Sequence, residues 1–389
     1  MSRSGTVEID TLTAFDWDLF VDTYWDRRPV LIASGAIPAP FDVHEVFESA
    51  VTAARHPASG QLGFTLGPRR LTDPGDLLPQ PEDRSFARYD QRLVAHVGRE
   101  PFTLRVGGPH TYHHPVWRRA RNFLSPLWDR TGQPLLGAST ALHHGVCGPG
   151  RAAYGHPYTR VATFLHALLG RPRLRLALDE RWAAVRLAPG DLLYWPAGRR
   201  CVVEAGGAPA AVVRLGVPRA APAPGHGVRS LLVPGPDPAP PRTWQDGADI
   251  LVRPTTDGHA DRLPPVLAGA LARYREAARP GVLRRRTVRE ALLHATDGGL
   301  RPVPPPARPV HFTEGDAVRA VERVLWAEAG GRRLVAACGH VLETGLTGPE
   351  LSAVVGLLNA GATVSLAELA PSARALLSQL AGFRAVQRV

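Results

Sequence analysis

The sequence predicts an α+β fold, mainly β, in which helices flank a block of short strands. Three observations predict it. Between residues 101 and 216, short apolar runs alternate with turn residues, the pattern of an all-β barrel or sandwich. Before residue 55, and again over 263–296 and 351–380, apolar residues recur at helical spacing. Proline-rich stretches at 218–243 and 302–309 read as breaks. They divide the chain into a strand-rich block over 1–218, a linker and helical segment over 219–308, and a terminal block over 309–389.

Taken in order, Phe15, Trp17, Phe20, Val21 and Tyr24 predict a first helix, capped by Thr13 or Asp16. Val30-Leu31-Ile32 reads as a short buried strand. A second helix follows over Val43–Ala54, stopped by His56-Pro57, and residues 57–85 read as loop. Phe102–Val106 is a strand, and His113–Trp117 opens a helix that runs to about Leu127. His143 and His144 fall in a predicted loop, and His166 on a strand or its edge. Further strands are expected at Leu174–Leu178, Ala184–Leu187, Asp191–Trp195, Cys201–Glu204 and Ala211–Val217. The tail reads as strand, strand, helix, helix. Leu351, Val354, Val355, Leu357 and Leu358 share one helical face, and Val364–Leu369 opens a helix-turn-helix whose second helix is Ala373–Leu380. That is a winged-helix pattern.

Composition narrows the function classes. At 389 residues, 44% of them hydrophobic, the chain is too long for one ordinary domain and too apolar to be wholly disordered. No apolar run reaches the ~20 residues of a membrane-spanning helix. Met1–Gly5 lacks the basic and apolar regions of a secretory signal, so a cytoplasmic protein without a membrane partner is expected. Cys147, Cys201 and Cys338 form no CxxC pair, which excludes a cysteine-only zinc cluster and argues against a disulfide framework. The formal net charge is +11, and all 46 basic residues are arginine. With 38 prolines and 39 glycines, part of that excess reflects a GC-rich coding sequence. The basicity still leaves nucleic acid or the ribosome open as a partner.

The sharpest motif is Pro189-Gly190-Asp191-Leu192-Leu193-Tyr194-Trp195-Pro196-Ala197-Gly198, a turn, a strand and a second turn. It suits consecutive strands of a double-stranded β-helix. It resembles the cupin-fold Jumonji-C oxygenases, in particular the ribosomal-oxygenase branch of protein hydroxylases. Tyr24–Ile32 is similar to that branch's N-terminal Tyr-Trp…Pro…Ile segment. Phe164–Arg173 is similar to its Phe-Leu-x-Gln-x-x-Gly-x-Lys strand and turn, and the tail to its C-terminal winged helix. The resemblance implies a barrel, a helical dimerisation segment around 263–300 and a homodimer. It also implies iron(II) held by a His-x-Asp pair and a distal histidine, with 2-oxoglutarate as cosubstrate and a protein or peptide as substrate. Three protein ligands leave three iron positions open for that chemistry.

The departures from the pattern fall at those ligands. The distal histidine should stand three residues after the Gly198 turn, where this chain has Cys201. Counting 13 and 11 residues back from Gly170 puts Pro157 and Thr159 at the other two positions. Proline offers no side-chain donor and threonine is a poor iron ligand. The cosubstrate-binding lysine of the turn falls on Pro172. A one-residue slip would bring His156 to the first ligand position and Tyr158 to the carboxylate position. Possible ligands His143, His144, Cys147, His156, His166 and Cys201 are enriched locally, so a displaced set such as His156, Cys201 and His144 stays open beside the reading of buried, hydrogen-bonded residues. Arg214 follows Cys201 on the next strand and could hold a carboxylate bidentately, or be an exposed or salt-bridged strand arginine, and Tyr158 and His166 are further candidate ligand contacts. His110–His114 is histidine-dense without the zincin spacing; it resembles the family's helix entry, which implies a capping and packing role. Arg284-Arg285-Arg286 reads as a solvated helix end. The expectation is a Jumonji-C-like binding or accessory protein that has lost its iron triad. The alternatives are a hydroxylase with displaced ligands and a winged-helix module for nucleic acid or the ribosome.

Overall fold

The structure is a computed structural model, and it describes residues 9–56, 61–98, 100–146, 160–178, 181–203, 208–219, 272 and 274–389. Two compact units form. The first takes the described residues up to Arg219 together with Gly298–Pro305; the second takes those up to Asp297 and then Pro306–Val389.

The first unit is built on a large, mainly antiparallel sheet. Its strands are β1 (Thr11–Leu12), β2 (Val30–Ile32), β3 (Leu62–Leu66), β4 (Arg69–Leu71), β5 (Phe102–Gly107), β6 (Ser139–Gly145), β7 (Val161–Leu169), β10 (Leu192–Trp195) and β12 (Ala210–Pro218). The order across the sheet is β1-β2-β10-β7-β12-β6-β5-β3-β4, and only β1–β2 is parallel. A second sheet holds β8 (Arg173–Leu178), β9 (Arg181–Arg186) and β11 (Cys201–Val203), in the order β11-β8-β9. Between the two sheets lies an apolar cluster that includes Leu165, Ala167, Leu174, Leu176, Leu187, Leu193, Trp195 and Val212. Each such buried side chain contributes about 1.5–3 kcal/mol.

Helices α1 (Trp17–Thr23), α2 (Val43–Ala54), α3 (Phe86–Val97) and α4 (His114–Thr131) belong to the same unit. Asp16 caps α1 by accepting from the Leu19 amide at 2.9 Å, which settles the choice between Thr13 and Asp16. Phe20 of α1 packs edge-on against Tyr194, with ring centroids 4.9 Å apart, and Phe123 of α4 against Phe164 at 5.4 Å. The face of the large sheet away from the small sheet is therefore covered by aromatic residues from helices. The turn before β10 is fixed by Asp191, whose carboxylate accepts from Ala188 N at 2.7 Å and Ser34 N at 3.0 Å. Gly190 beside it has φ 91°, and a Cβ there would lie 2.9 Å from the Ser34 Cβ.

Several sequence expectations are corrected here. The stretch expected as loop, 57–85, contains the β3–β4 hairpin and two short 3₁₀ turns. His143 and His144 lie on strand β6, paired on both sides, rather than in a loop. His166 is on a strand as expected, β7, which lies in the sheet interior between β10 and β12. Helix α3 carries only Phe86, Tyr89 and Leu93 as buried residues among arginines, so its apolar stripe is thin. The segment 298–305 returns to the first unit: the Trp117 and Trp128 indoles donate to Leu300 O at 3.1 Å and Gly298 O at 2.9 Å, and Leu300 bridges Ala138.

In the second unit, α5 (Pro280–Thr296) packs Val288 and Leu292 against Leu325, Leu334, Ala336 and Val341. Those residues belong to an antiparallel sheet of β14 (Leu325–Ala329), β15 (Arg332–Ala337) and β16 (His340–Thr344). A separate sheet joins β13 (Ala317–Ala320) to β17 (Val364–Ser365) and β18 (Val386–Arg388). Helices α6 (Gly348–Asn359) and α7 (Pro371–Gly382) complete the tail. The tail thus has six strands and two helices instead of the expected two and two. Val364–Ser365 is a paired strand, and Leu357 is 49% exposed while its expected neighbours on the face are buried. Thr347 and Glu350 form a reciprocal capping box at the start of α6. The predicted helical stretch is seen as α5; residues 263–271 and the predicted linker beyond Arg219 lie outside the described residues.

Candidate functional site

Successive residues of a strand point to opposite faces of a sheet, so register decides which side chains meet. On β12, Val212 pairs with Ala167 and Arg214 with Leu165, and these β7 residues belong to the face turned toward the small sheet. On the other side of β12, Val212 pairs with His143 and Arg214 with Ala141; His143 in turn pairs with Arg105 on β5. Arg214, His143 and Arg105 therefore share the inward face, beside the apolar cluster.

Arg214 is only 5% exposed, and its Nη1 has no hydrogen-bond partner. Its cross-strand neighbours, Leu165 and Ala141, are apolar. The guanidinium folds back along its own strand toward Gly216, where a Cβ would come within 2.9 Å of Nη1. Burial, and then Arg105, pull Arg214 down to about 10, which leaves it cationic at neutral pH. His143 is pushed down to about 3 by burial, then by Arg105 and Arg214, so it is neutral. Arg105 is exposed and His143 half-buried, so the set runs inward from the surface to Arg214.

The remaining candidates point elsewhere. His144 lies on the opposite, helix-covered face, 4.5 Å from the Phe86 ring, with Nε2 2.7 Å from Asp90 Oδ1. His166 shares that face: it pairs with Leu192 and Val213 and sits 6.2 Å from the Phe41 ring. Burial lowers it to about 4, with the Gly190 backbone offsetting part of the effect. Cys201 lies on β11, paired with Leu176, inside the apolar cluster between the sheets. Burial pushes its thiol up to about 12. The structure does not bring His144 and Cys201 together, because His144 lies on the helix-covered face of the large sheet and Cys201 in the apolar cluster on its other side. Among the described residues no three His, Cys, Asp or Glu side chains group to hold a metal. Cys147, His156, Pro157, Tyr158 and Thr159 lie outside the described residues. Pro172 stands in the β7–β8 turn, its carbonyl accepting from Leu187 N at 3.1 Å.

Of the histidine-dense stretch, His110 is buried with Nδ1 2.5 Å from Thr140 Oγ1, and His113 Nε2 lies 3.2 Å from Glu48. Both are packing and surface contacts. Sequence reasoning picked out Arg214 but assigned no site role to Arg105. Arg214 stands out as a charge in an apolar strand, whereas Arg105 takes an ordinary polar position in the alternating strand Phe102-Thr103-Leu104-Arg105-Val106, which gives no such signal.

No protein-family profile matches the sequence, and no curated protein matches it. Solved structures similar to it include YcfD, a ribosomal oxygenase from Escherichia coli, at 17% identity and TM-score 0.49, covering 98% of this chain and 99% of that one. The same protein in complex with cobalt and 2-oxoglutarate is similar at 16% identity and TM-score 0.48, over 97% and 99% of the two chains. Hydroxypropylphosphonic acid epoxidase from S. wedmorenis is similar over 20% of this chain and 42% of that one, at 14% identity and TM-score 0.18. The first two are ribosomal oxygenases, the branch that the sequence motifs resemble.

Proposed function

We propose that this chain is a Jumonji-C-like protein that binds rather than oxidises, acting as an accessory or binding protein for a peptide or protein partner. The observation that carries the reading is Cys201. It stands where the resemblance calls for an iron-ligating histidine, yet its side chain is part of the apolar cluster and its thiol is held protonated. Thiolate, the ligating form, is disfavoured in such surroundings. Pro157 has no donor and Thr159 a weak one. These residues do not fit iron(II). A two-sheet scaffold folds by apolar packing and has no need of the ligands. The helical segment and the tail fit a homodimer with a winged-helix end, in the cytoplasm. No helix among the described residues is long and apolar enough to cross a membrane.

The test is metal content and 2-oxoglutarate binding of untagged protein reconstituted anaerobically with iron(II). The expected result is no stoichiometric iron and no cosubstrate-dependent rise in Tm. Stoichiometric iron together with such a rise would overturn the reading.

A further inference from the structure

We propose that the outer face of the small sheet binds single-stranded nucleic acid. The inference does not depend on iron, because this face is the side of β8, β9 and β11 turned away from the apolar cluster. Side chains alternate along these strands. Leu174, Leu176 and Val185 enter the cluster, so Arg173, Arg175, Trp182 and Arg186 point outward, and all four are exposed. Arg173 and Arg186 stand directly opposite each other across the β8–β9 ladder. Like charges so placed repel and weaken a sheet, and neither arginine makes an ion pair or a side-chain hydrogen bond among the described residues. Elsewhere in the unit, exposed arginines such as Arg28, Arg119 and Arg130 face the carboxylates of Asp10, Glu45 and Asp18. Arg171 and Arg200, exposed in the turns that enter β8 and β11, add to the charge. No acidic residue stands among the described outward residues of the three strands; Asp179, Glu180 and Glu204 lie outside the described residues. A facing pair of uncompensated cations on an open sheet is matched by a polyanion.

Trp182 decides which polyanion. Its side chain is 38% exposed, and the Arg175 guanidinium carbon lies 5.3 Å from the ring centroid. Ala177 and Ala184, the direct strand partners of Trp182 and Arg175, are small and leave the face flat. Exposed aromatic rings and cations are the two parts that sequence-tolerant binders of single strands combine: the cations track phosphates, and bases stack on a ring or a guanidinium plane. Arg186 and Trp182 lie four residues apart on β9, about 13 Å. Phosphates can therefore meet the arginine end while a base reaches the tryptophan. An acidic peptide would use the charges and leave the indole bare, and a duplex would keep its bases stacked on one another. The second helix of the tail is not such a surface: α7 carries one arginine, Arg374, and Glu314 holds it.

The experiment is fluorescence anisotropy of the full chain, without metal, with a labelled RNA strand of about 12 nucleotides, the DNA strand of the same sequence, the RNA duplex and a glutamate-only peptide. Saturable, salt-sensitive binding of a single strand is expected, weaker for the duplex and the peptide, and the tighter of RNA and DNA identifies the natural strand. Arg173→Gln combined with Arg186→Gln should lower the slope of log K against log salt by about 1.4, the loss of two phosphate contacts. Trp182→Ala should weaken binding at least about fivefold and leave that slope unchanged. Arg284→Gln combined with Arg289→Gln, on α5, removes the same charge from another surface and should change the affinity by less than about twofold. Without ligand, the Arg173/Arg186 variant should melt no lower than the parent, because it relieves a repulsion. No saturable binding of either strand, tighter binding of the duplex or the peptide, an unchanged slope in the Arg173/Arg186 variant, unchanged affinity in Trp182→Ala, an equal loss in the α5 variant, or a lower Tm of the ligand-free Arg173/Arg186 variant would each overturn the proposal. Stoichiometric iron with a cosubstrate-dependent rise in Tm would instead overturn the non-oxidising reading, while the salt slopes would still decide this one.

Discussion

Cys201→Ser separates a core cysteine from a metal ligand. The side chain is 5% exposed and packs with Leu174, Leu176, Leu187 and Trp195, so a hydroxyl in its place enters an apolar environment. Burying a hydroxyl without a good partner costs about 1–3 kcal/mol. Taking about 2 kcal/mol, and about 2–4 °C per kcal/mol for a unit of this size, the melting transition should fall by about 4–8 °C. Thiolate formation there is opposed by a thiol value of about 12, which costs about 4 kcal/mol beyond ionising an ordinary thiol. The Tm loss should therefore be the same in chelator and in added iron(II) or zinc. The assay is differential scanning calorimetry of both proteins with and without metal. The reasoning is refuted if Cys201→Ser melts like the parent in chelator and falls behind only when metal is present, since the thiol would then be acting as a ligand.

Acid should destabilise the first unit in a defined window. His110 and His166 sit near 4 in the folded chain against an ordinary 6.5, so above 6.5 both states are neutral and stability is flat. As pH falls from 6.5 toward 4 the unfolded chain takes up protons that the folded chain refuses, and each group removes about 2 kcal/mol by pH 5. Urea melts at pH 7.5 and 5 should show this, and His166→Leu should remove about one proton from the slope; an unchanged slope would count against it. Arg92 grips the buried carboxylate of Asp83 with bonds of 2.7 and 2.8 Å, so Arg92→Met should cost about 3–5 kcal/mol in chemical denaturation, and a loss under 1 kcal/mol would contradict the pairing. Gly190→Ala forces a side chain into positive φ against Ser34 and should cost at least about 2 kcal/mol, where a neutral Tm would show that the turn relaxes freely.

Much of the fold was legible because apolar runs fix strands whatever their partners. Val30–Ile32, Leu192–Trp195 and Ala210–Pro218 all lie where their runs placed them. Helix α3 escaped notice because three buried residues among polar ones give a faint periodicity, and the β3–β4 hairpin because turn residues surround it. The site was half legible. Arg214 stood out as a charge in an apolar strand, but its burial did not, since arginine is seldom buried. His143 and His144 are adjacent in sequence and opposite in space. Register alone separates them, and a slip of one residue would exchange their faces. That register is carried by the unbroken β6–β12 and β5–β6 ladders, which are long-range pairings that no local pattern announces.

The return of residues 298–305 to the first unit makes synthesis order and folding order differ. A chain emerging from the ribosome has completed every strand of the large sheet by Pro218, but the carbonyls that receive the Trp117 and Trp128 indoles arrive about 80 residues later. Until then two indole N–H groups lack their partners, at about 1–3 kcal/mol each. The first unit is thus closed by one of its longest-range contacts, a slow step in folding. Helix α5 lies within the loop that this contact closes, so it is synthesised before the unit preceding it in sequence is finished. A truncation placed at the first proline-rich break would leave the strands and remove their closing segment, yielding a fragment that exposes its indoles and aggregates.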